Sequence, residues 1–265
     1  DVYKQEPVEP SNPLLGLDNV ITTPHAGAST GEAQTRVATA ISRQVANYLT
    51  VGSIDGAVNL AEVDIIVEPY IPLVEKMGVM THHLFDGGDI RLQLYGDIAN
   101  VPDDNLMRAF LKGYLSANIP GVNMVSAMAK ASGLGIQTSE ERIDSTGNPY
   151  SLVRVEIGGD ESRSIEGELH KGSPEIVGIN GYRISFEPRG HVLYTEHSDV
   201  PGVVEHVSGT LARLGMNLGS VIVARESIGG NAVGFVELDE GIDNSVVGLI
   251  RNDDRIHNVK HFYIP

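Results

Sequence analysis

Residues 197–239 read HSDVPGVVEHVSGTLARLGMNLGSVIVARESIGGNAVGFVELD, and the patterns in this stretch decide the fold of the last third of the chain. Pro201 and Gly202 suit the first turn of a helix, and Asp199 stands where an N-cap belongs. The helix runs through PGVVEHVSGTLARLG, and the strands MNLGSVIVARE and NAVGFVELD follow, separated by Gly229-Gly230. Working outward, HVLYTEHS supplies a strand before the helix, NSVVGLIRND a second helix and IHNVKHFYI a last strand. The order β-α-β-β-α-β over residues 190–265 is the split-βαβ, ferredoxin-like plan, with antiparallel strands on one face and two helices on the other.

Residues 61–188 read as an α/β unit. EPYIPLVEKMGVMTHHLF is helical after Pro69, and Gly87-Gly88 marks its end. In DIRLQLYGDIA the apolar Ile90, Leu92 and Leu94 alternate with Arg91, Gln93 and Tyr95, the period of a strand with one buried face. Helices over about 103–117 and 121–133 follow, then the extended segments SLVRVEI, SRSIEGELH and YRISFEP, with Asn180-Gly181 as a hairpin turn. His82-His83 invites a metal reading, but adjacent helical residues diverge by about 100° and cannot readily share one ion. They are read as helix-surface residues.

Residues 1–60 form the first unit. NVITT reads as a short buried strand, Ser29 and Glu32 as a capping box, and Val37, Ile41, Val45 and Leu49 as one helical stripe that the glycines of VGSIDGAVN close. A solitary strand and helix have no sheet to pack on, so this unit reads as a remnant of something larger, within a chain that is itself part of a longer protein.

The composition excludes several function classes. Against 19 basic residues stand 35 acidic ones, and the net charge of −16 repels nucleic acid and anionic lipid. No uncharged run approaches the roughly 18 residues of a membrane span, and the start DVYKQEPVEP has no secretory pattern. With no Cys there is no disulfide framework, thiolate nucleophile or thiolate metal site, which is compatible with a cytoplasmic location. The nearest match to G-x-G-x-x-G, GLGIQT at 133–138, lacks the third glycine and follows a helix rather than a strand, so it is rejected as a nucleotide loop. Arg142, Arg154, Arg163, Lys171 and Arg183 read either as an anion cluster or as ordinary solvated charges.

Three resemblances organise these readings. The last unit, from the Pro-Gly helix entry through GMN to the Gly-Gly hairpin, resembles the ACT regulatory domain. DVYKQEP…NVITTPHAGASTGEAQ resembles the C-terminal signature of the D-2-hydroxyacid dehydrogenases and, with AVN at 57–59, is most similar to their D-3-phosphoglycerate dehydrogenases. AVNL leading into a Pro-containing helix and GVNMVSAMAKASGLGI look like the intervening domain of that family's long members, often called allosteric substrate-binding. The fold class is accordingly α/β and α+β. It comprises a Rossmann-type remnant with its crossing helix at 1–60, an intervening α/β domain at 61–188 and an ACT domain at 190–265.

What the resemblance implies is an NAD-dependent oxidation of 3-phosphoglycerate to 3-phosphohydroxypyruvate in serine synthesis, in a homo-oligomer. His25 would be the general acid and base, with its carboxylate partner and a substrate-anchoring Arg expected from segments before Asp1. Gly27 and Ala28 match positions lining the nicotinamide pocket. His197, Asp199 and Asn217 match an effector site for an amino acid, with serine the favoured candidate, at an interface between two copies. Read singly, Asp199 is equally a helix N-cap, Asn217 a loop residue and His197 a solvent residue. This chain alone is expected to be inactive. A free-standing amino-acid-binding module and another D-2-hydroxyacid dehydrogenase remain the alternatives.

Overall fold

The computed structural model describes all residues but 52, 53, 55, 59, 61 and 144–149, and leaves aside the side chains of 51 and 160–162. The helix stop expected at Gly52 and the Asn59 of the AVN block lie outside the described residues. The chain divides into two compact units, residues 1–58 and 59–265.

In the first unit the single long helix is α1 (Gly31–Val51). Its cap lies one residue later than the sequence suggested: Thr30 Oγ1, not Ser29, accepts from the Ala33 amide at 3.1 Å, while Glu32 pairs with Arg36 on the helix surface at 2.7 Å. NVITT forms no strand. Extended backbone needs a ladder neighbour to satisfy its amides and carbonyls, and the described residues of this unit contain none. The apolar stripe is helical as expected, yet Val37, Ile41, Val45 and Leu49 are 52–75% exposed.

The second unit is built on two sheets. Helix α2 (Ile71–Leu84) starts with Pro72 in its first turn and ends before Phe85, ahead of the glycines at 87 and 88. Strand β1 (Ile90–Tyr95) buries Ile90, Leu92 and Leu94. Helices α3 (Asn105–Ser116) and α4 (Ala127–Gly133) then cross to β2 (Thr138–Ile143), which pairs with β1 in parallel. An antiparallel run follows: β3 (Leu152–Ile157), β4 (Asp160–His170), β5 (Ser173–Ile179) and β6 (Tyr182–Phe186). The first sheet has the order β2-β1-β3-β4-β5-β6. Strand β5 was not anticipated, because SPEIVGI opens with Ser-Pro and carries Gly178. Asn180 and Gly181, both with positive φ, make the hairpin turn to β6.

Two glycines set the helix packing. A methyl group on Gly78 of α2 would fall on the Phe110 carbonyl, and one on Gly113 of α3 would fall on the Glu75 carbonyl. The backbones of α2 and α3 therefore touch, and Leu73, Met77, Phe110 and Leu111 close over the sheet.

The second sheet holds β7 (Gly190–Ser198), α5 (Val203–Arg213), β8 (Leu218–Arg225), β9 (Asn231–Leu238), α6 (Asn244–Arg251) and β10 (Ile256–Ile264), with strand order β10-β7-β9-β8. All its pairings are antiparallel. Leu193, Val207, Leu211, Val236, Ile250 and Val259 form the core between its helices and one face. Val192, Tyr194, Phe235 and Phe262 on the other face join the core of the first sheet. Burial on both sides is why β9 reads as the unbroken apolar run AVGFV. The linker Glu187–Arg189 lies between β6 and β7, and the sheets on either side of it share that continuous core.

His82 and His83 are half-buried packing residues rather than surface ones. His83 stacks on Phe262 with centroids 5.2 Å apart, and His82 meets Tyr114 edge-on at 5.6 Å. Among the described residues no three His, Cys, Asp or Glu side chains gather to hold a metal. Arg142, Arg154 and Arg163 each have their own acceptors: Glu140 with the Val101 and Asp103 carbonyls, Glu156 with Glu166, and the Asp86 carbonyl.

Candidate functional site

In the first unit the site is assembled from two segments, 1–6 and 23–27. The Asp1 carboxylate accepts from Thr23 Oγ1 (2.7 Å) and the Ala26 amide (2.6 Å) with one oxygen, and from the Gly27 amide (3.0 Å) with the other. Between these anchor points stands His25, a non-glycine residue in the left-handed region at φ 53°. Its Nδ1 meets Glu6 Oε2 at 2.7 Å. Glu6 also accepts from the Tyr3 amide at 2.9 Å. The hydrogen bond with His25, then that from Tyr3, hold the Glu6 carboxyl below its ordinary range. This corrects one expectation: a carboxylate partner for His25 lies within the chain. It could have been read from the sequence, because Glu6 belongs to the same DVYKQEP block that carries the resemblance.

His25 is 58% exposed at its side chain, and its Nε2 makes no hydrogen bond among the described residues. The arrangement is an imidazole with one nitrogen held by a carboxylate and the other open, which suits transfer of a proton to or from a small molecule. Gly27 lies close against the same carboxylate, since a Cβ there would stand 2.8 Å from Asp1 Oδ2. Ala28 is exposed beside it.

In the second unit His197, Asp199 and Asn217 fall at two ends of one sheet. His197 is the penultimate residue of β7, is 4% exposed, and places Nδ1 3.2 Å from Thr195 Oγ1. Burial pushes its pKa down, so the folded state favours the neutral ring. It is therefore not the solvent residue of the plainer reading. Asp199 is not the helix N-cap either. Gly202, at φ 92°, occupies that place, and α5 starts at Val203 rather than at the proline. The Asp199 carboxylate instead accepts from Arg225 Nη1 and the Gly229 amide, both at 3.0 Å, and these bonds lower its pKa.

Asn217 donates to Asp239 Oδ2 at 2.6 Å. The register gives the separation: His197 pairs with Ala232 of β9, while Leu218, next to Asn217, pairs with Leu238. Six residues of strand span about 20 Å at roughly 3.3 Å each. One copy of the sheet therefore brings His197 and Asp199 together with Arg225 and leaves Asn217 at the far end.

Beside His197 lies a cleft of about 20 Å³ lined by Thr195, Val203, Val207, Val221 and Val223. Gly234 keeps it open, since a Cβ there would meet Thr195 Oγ1 at 2.6 Å. Strand β8 is an edge of its sheet, and its Val221 and Val223 are 45% and 44% exposed beside Val204 of α5 at 49%. An open edge flanked by apolar side chains is a surface suited to pairing with another strand.

Residues 66–180 match the D-3-phosphoglycerate dehydrogenase intervening domain. Across 98% of its length the chain is 34% identical to a D-3-phosphoglycerate dehydrogenase of Methanocaldococcus jannaschii, covering 51% of that protein. The chain belongs to the D-3-phosphoglycerate dehydrogenase family. Another relative so named, from Archaeoglobus fulgidus, is 33% identical over 90% of this chain and 46% of its own length. One from Bacillus subtilis is 30% identical over 100% and 52%. The chain thus spans about half the length of the D-3-phosphoglycerate dehydrogenases it matches.

Proposed function

We propose that this chain is the C-terminal portion of an NAD-dependent D-3-phosphoglycerate dehydrogenase that oxidises 3-phosphoglycerate to 3-phosphohydroxypyruvate. The observation that carries the reading is the His25–Glu6 pair at 2.7 Å, with the second imidazole nitrogen open. His25 takes the substrate hydroxyl proton on Nε2, and the Glu6 carboxylate orients the ring and stabilises the imidazolium that forms. Bound NAD would accept the hydride. Gly27 and Ala28 are small enough to leave room for a nicotinamide beside His25. The described residues of 1–58 contain one long helix and no sheet, so they would supply only this margin of a cofactor site. In a chain of the relatives' full length, His25→Ala should cut kcat by at least about a hundredfold. Near-normal turnover would leave His25 a structural residue. The 265-residue chain alone should reduce no NAD with 3-phosphoglycerate.

Residues 61–188 are read as the intervening domain and 190–265 as an ACT domain, which binds an amino-acid effector, serine in the first instance, between two copies in a homo-oligomer. The wide separation of His197 from Asn217 supports a shared site: a two-fold axis at the β8 edge would set Asn217 of one copy against His197 and Asp199 of the other. Arg225 would then hold the effector's carboxylate, or Asp199 its ammonium group. His197→Ala and Asn217→Ala should each abolish the thermal shift given by serine. Reassociating the two variants as a mixture should restore part of it, and a failure to do so would place both residues in one copy's site.

A second reading, a free-standing amino-acid-binding module, is favoured by the compactness of residues 59–265 and by their own cores. Serine-dependent stabilisation of the 265-residue chain without any NAD binding would support it. The described residues include no helix long and apolar enough to cross a membrane. The acidic net charge of −16 disfavours binding to nucleic acid or anionic lipid.

A further inference from the structure

Two lysines fasten α2 to the second sheet and its linker. Lys76 Nζ, in the first half of the helix, donates to the Pro188 carbonyl of the linker at 2.9 Å. Lys260 Nζ of β10 donates to the Leu84 carbonyl, at the last residue of α2, at 3.1 Å. Beside that second bond His83 lies flat on Phe262 of β10, with ring centroids 5.2 Å apart and planes 7° from parallel. A ring stacked in this way is shielded from water over one face, so a charge on it is poorly solvated.

The charged groups that act on His83 are its neighbour His82 on α2, and Lys260 and His261 on β10, all cations or groups that become cations in acid. From α3, Tyr114 meets the ring of His82, and His261 itself stacks on His191. The carbonyl end of a helix ordinarily favours a protonated histidine. Here Lys260 already holds the Leu84 carbonyl, so a second cation at that end meets a like charge. We propose that this contact is a proton-sensitive latch: protonation of His83 unwinds the last turn of α2 from β10 and loosens the second sheet's hold on the helix layer of the first. Gly87 and Gly88, which follow α2, supply the slack for that turn to move. The bond from Lys76 to Pro188 contains no group that titrates near neutrality and stays as the fixed point. The latch belongs to residues 59–265 and is independent of how His25 and the effector site are read.

The test is hydrogen exchange of the 265-residue chain at pH 8 and pH 5, corrected for the intrinsic rates. The Phe85 amide, bonded to the Thr81 carbonyl at 3.0 Å, reports the last turn of α2, and the amides of the central strand β9 report opening of the whole unit. Burial first, then His82, Lys260 and His261, lower the His83 pKa from 6.5 to about 4. The ring therefore takes up its proton more readily when the turn is open, and the open population grows as pH falls from 6.5 toward 4. Protection of the Phe85 amide should fall about thirtyfold between pH 8 and pH 5, while remaining below that of β9 at both values. In His83→Phe, which keeps a ring on Phe262 and cannot titrate, the fall should shrink to a few-fold at most.

The ratio between the two pH values is the readout, so a change of packing common to both cancels. A Phe85 amide as well protected as β9 overturns the proposal, because the turn would then open only with the whole unit. A ratio in His83→Phe as large as in the native chain overturns it as well. Should that variant fail to fold, the NMR titration of the His83 ring in the native chain decides alone: a midpoint of about 4 supports the latch, and one near 6.5 overturns it.

Discussion

Helices α1 and α2 carry apolar stripes of similar regularity and meet opposite fates. On α2, Leu73, Val74, Met77 and Met80 are all 0% exposed, closed over by α3 and the first sheet. On α1, the four residues of the stripe keep more than half of their surface in water. Burying each would contribute roughly 1.5–3 kcal/mol, so α1 is a helix whose stabilising face has no cover within the described residues of its unit. Periodicity reports which face of a helix is apolar and says nothing of what lies against it. The contrast extends to the sites, for the His25–Glu6 pair sits in the exposed unit and His197 in the packed one.

The largest effects should come from the packed unit. Phe110→Ala, at a fully buried position of α3, should lower the unfolding free energy of residues 59–265 by about 3–5 kcal/mol. Denaturant melts followed by near-ultraviolet dichroism would check it, and a loss below about 1 kcal/mol would mean that the α2–α3 contact is far looser than the glycine packing indicates. Next comes His25→Ala in a full-length chain, whose hundredfold loss of kcat corresponds to about 2.7 kcal/mol of transition-state stabilisation. That change should leave the melting of residues 59–265 untouched, so that chemistry and core stability separate cleanly between the two units.

Acid should act on the two units in different windows. Burial lowers the pKa values of His82, His83, His197 and His261, that of His83 to about 4. Lys260, His82 and His261 face His83 and add to its shift. A group that stays neutral when folded takes up its proton on unfolding, so stability should fall as the pH drops from about 6.5 toward 4. Glu6 has the opposite origin: its contribution is present above the ordinary carboxylate pKa and fades as pH falls through its lowered value. Calorimetry between pH 7 and 5 should show the midpoint of residues 59–265 dropping while the Glu6–His25 bond, read by NMR, persists. His83→Phe should flatten that pH dependence, and an unchanged slope would assign it elsewhere.

How much of this was legible follows from the same contrast. The element order of the second sheet could be read because β7, α5, β8, β9, α6 and β10 each carry a local pattern with a glycine or proline boundary. Strand β1 was clear from Ile90, Leu92 and Leu94, which bury one face while the other stays polar. Strand β5 escaped because its proline and Gly178 weaken the local signal, whereas its ladder with β4 and β6 is a tertiary fact. The candidate site was half legible. His25 is visible in its block, and Glu6, 19 residues earlier, stands in the DVYKQEP block that carries the same resemblance, although the expected carboxylate was assigned to segments before Asp1. For Asp199 the sequence leaves a helix cap and an effector contact equally open, because short acidic residues before Pro-Gly commonly cap, whereas in the fold Arg225, 26 residues on, holds its carboxylate.

The smallest effect is the one that bears most directly on α1. Val45→Ala removes two methyl groups from a residue that is 52% exposed, so in the 265-residue chain its cost should stay within about 0.5 kcal/mol. In a chain of the relatives' full length, where the added half has the opportunity to cover this stripe, the same change should cost about 1–2 kcal/mol. Alanine slightly exceeds valine in helix propensity, so any rise in cost between the two contexts must come from burial rather than from the helix itself. Equal, near-zero costs in both would mean that α1 remains uncovered in the longer protein, and the stripe at Val37, Ile41, Val45 and Leu49 would then need a partner from another chain.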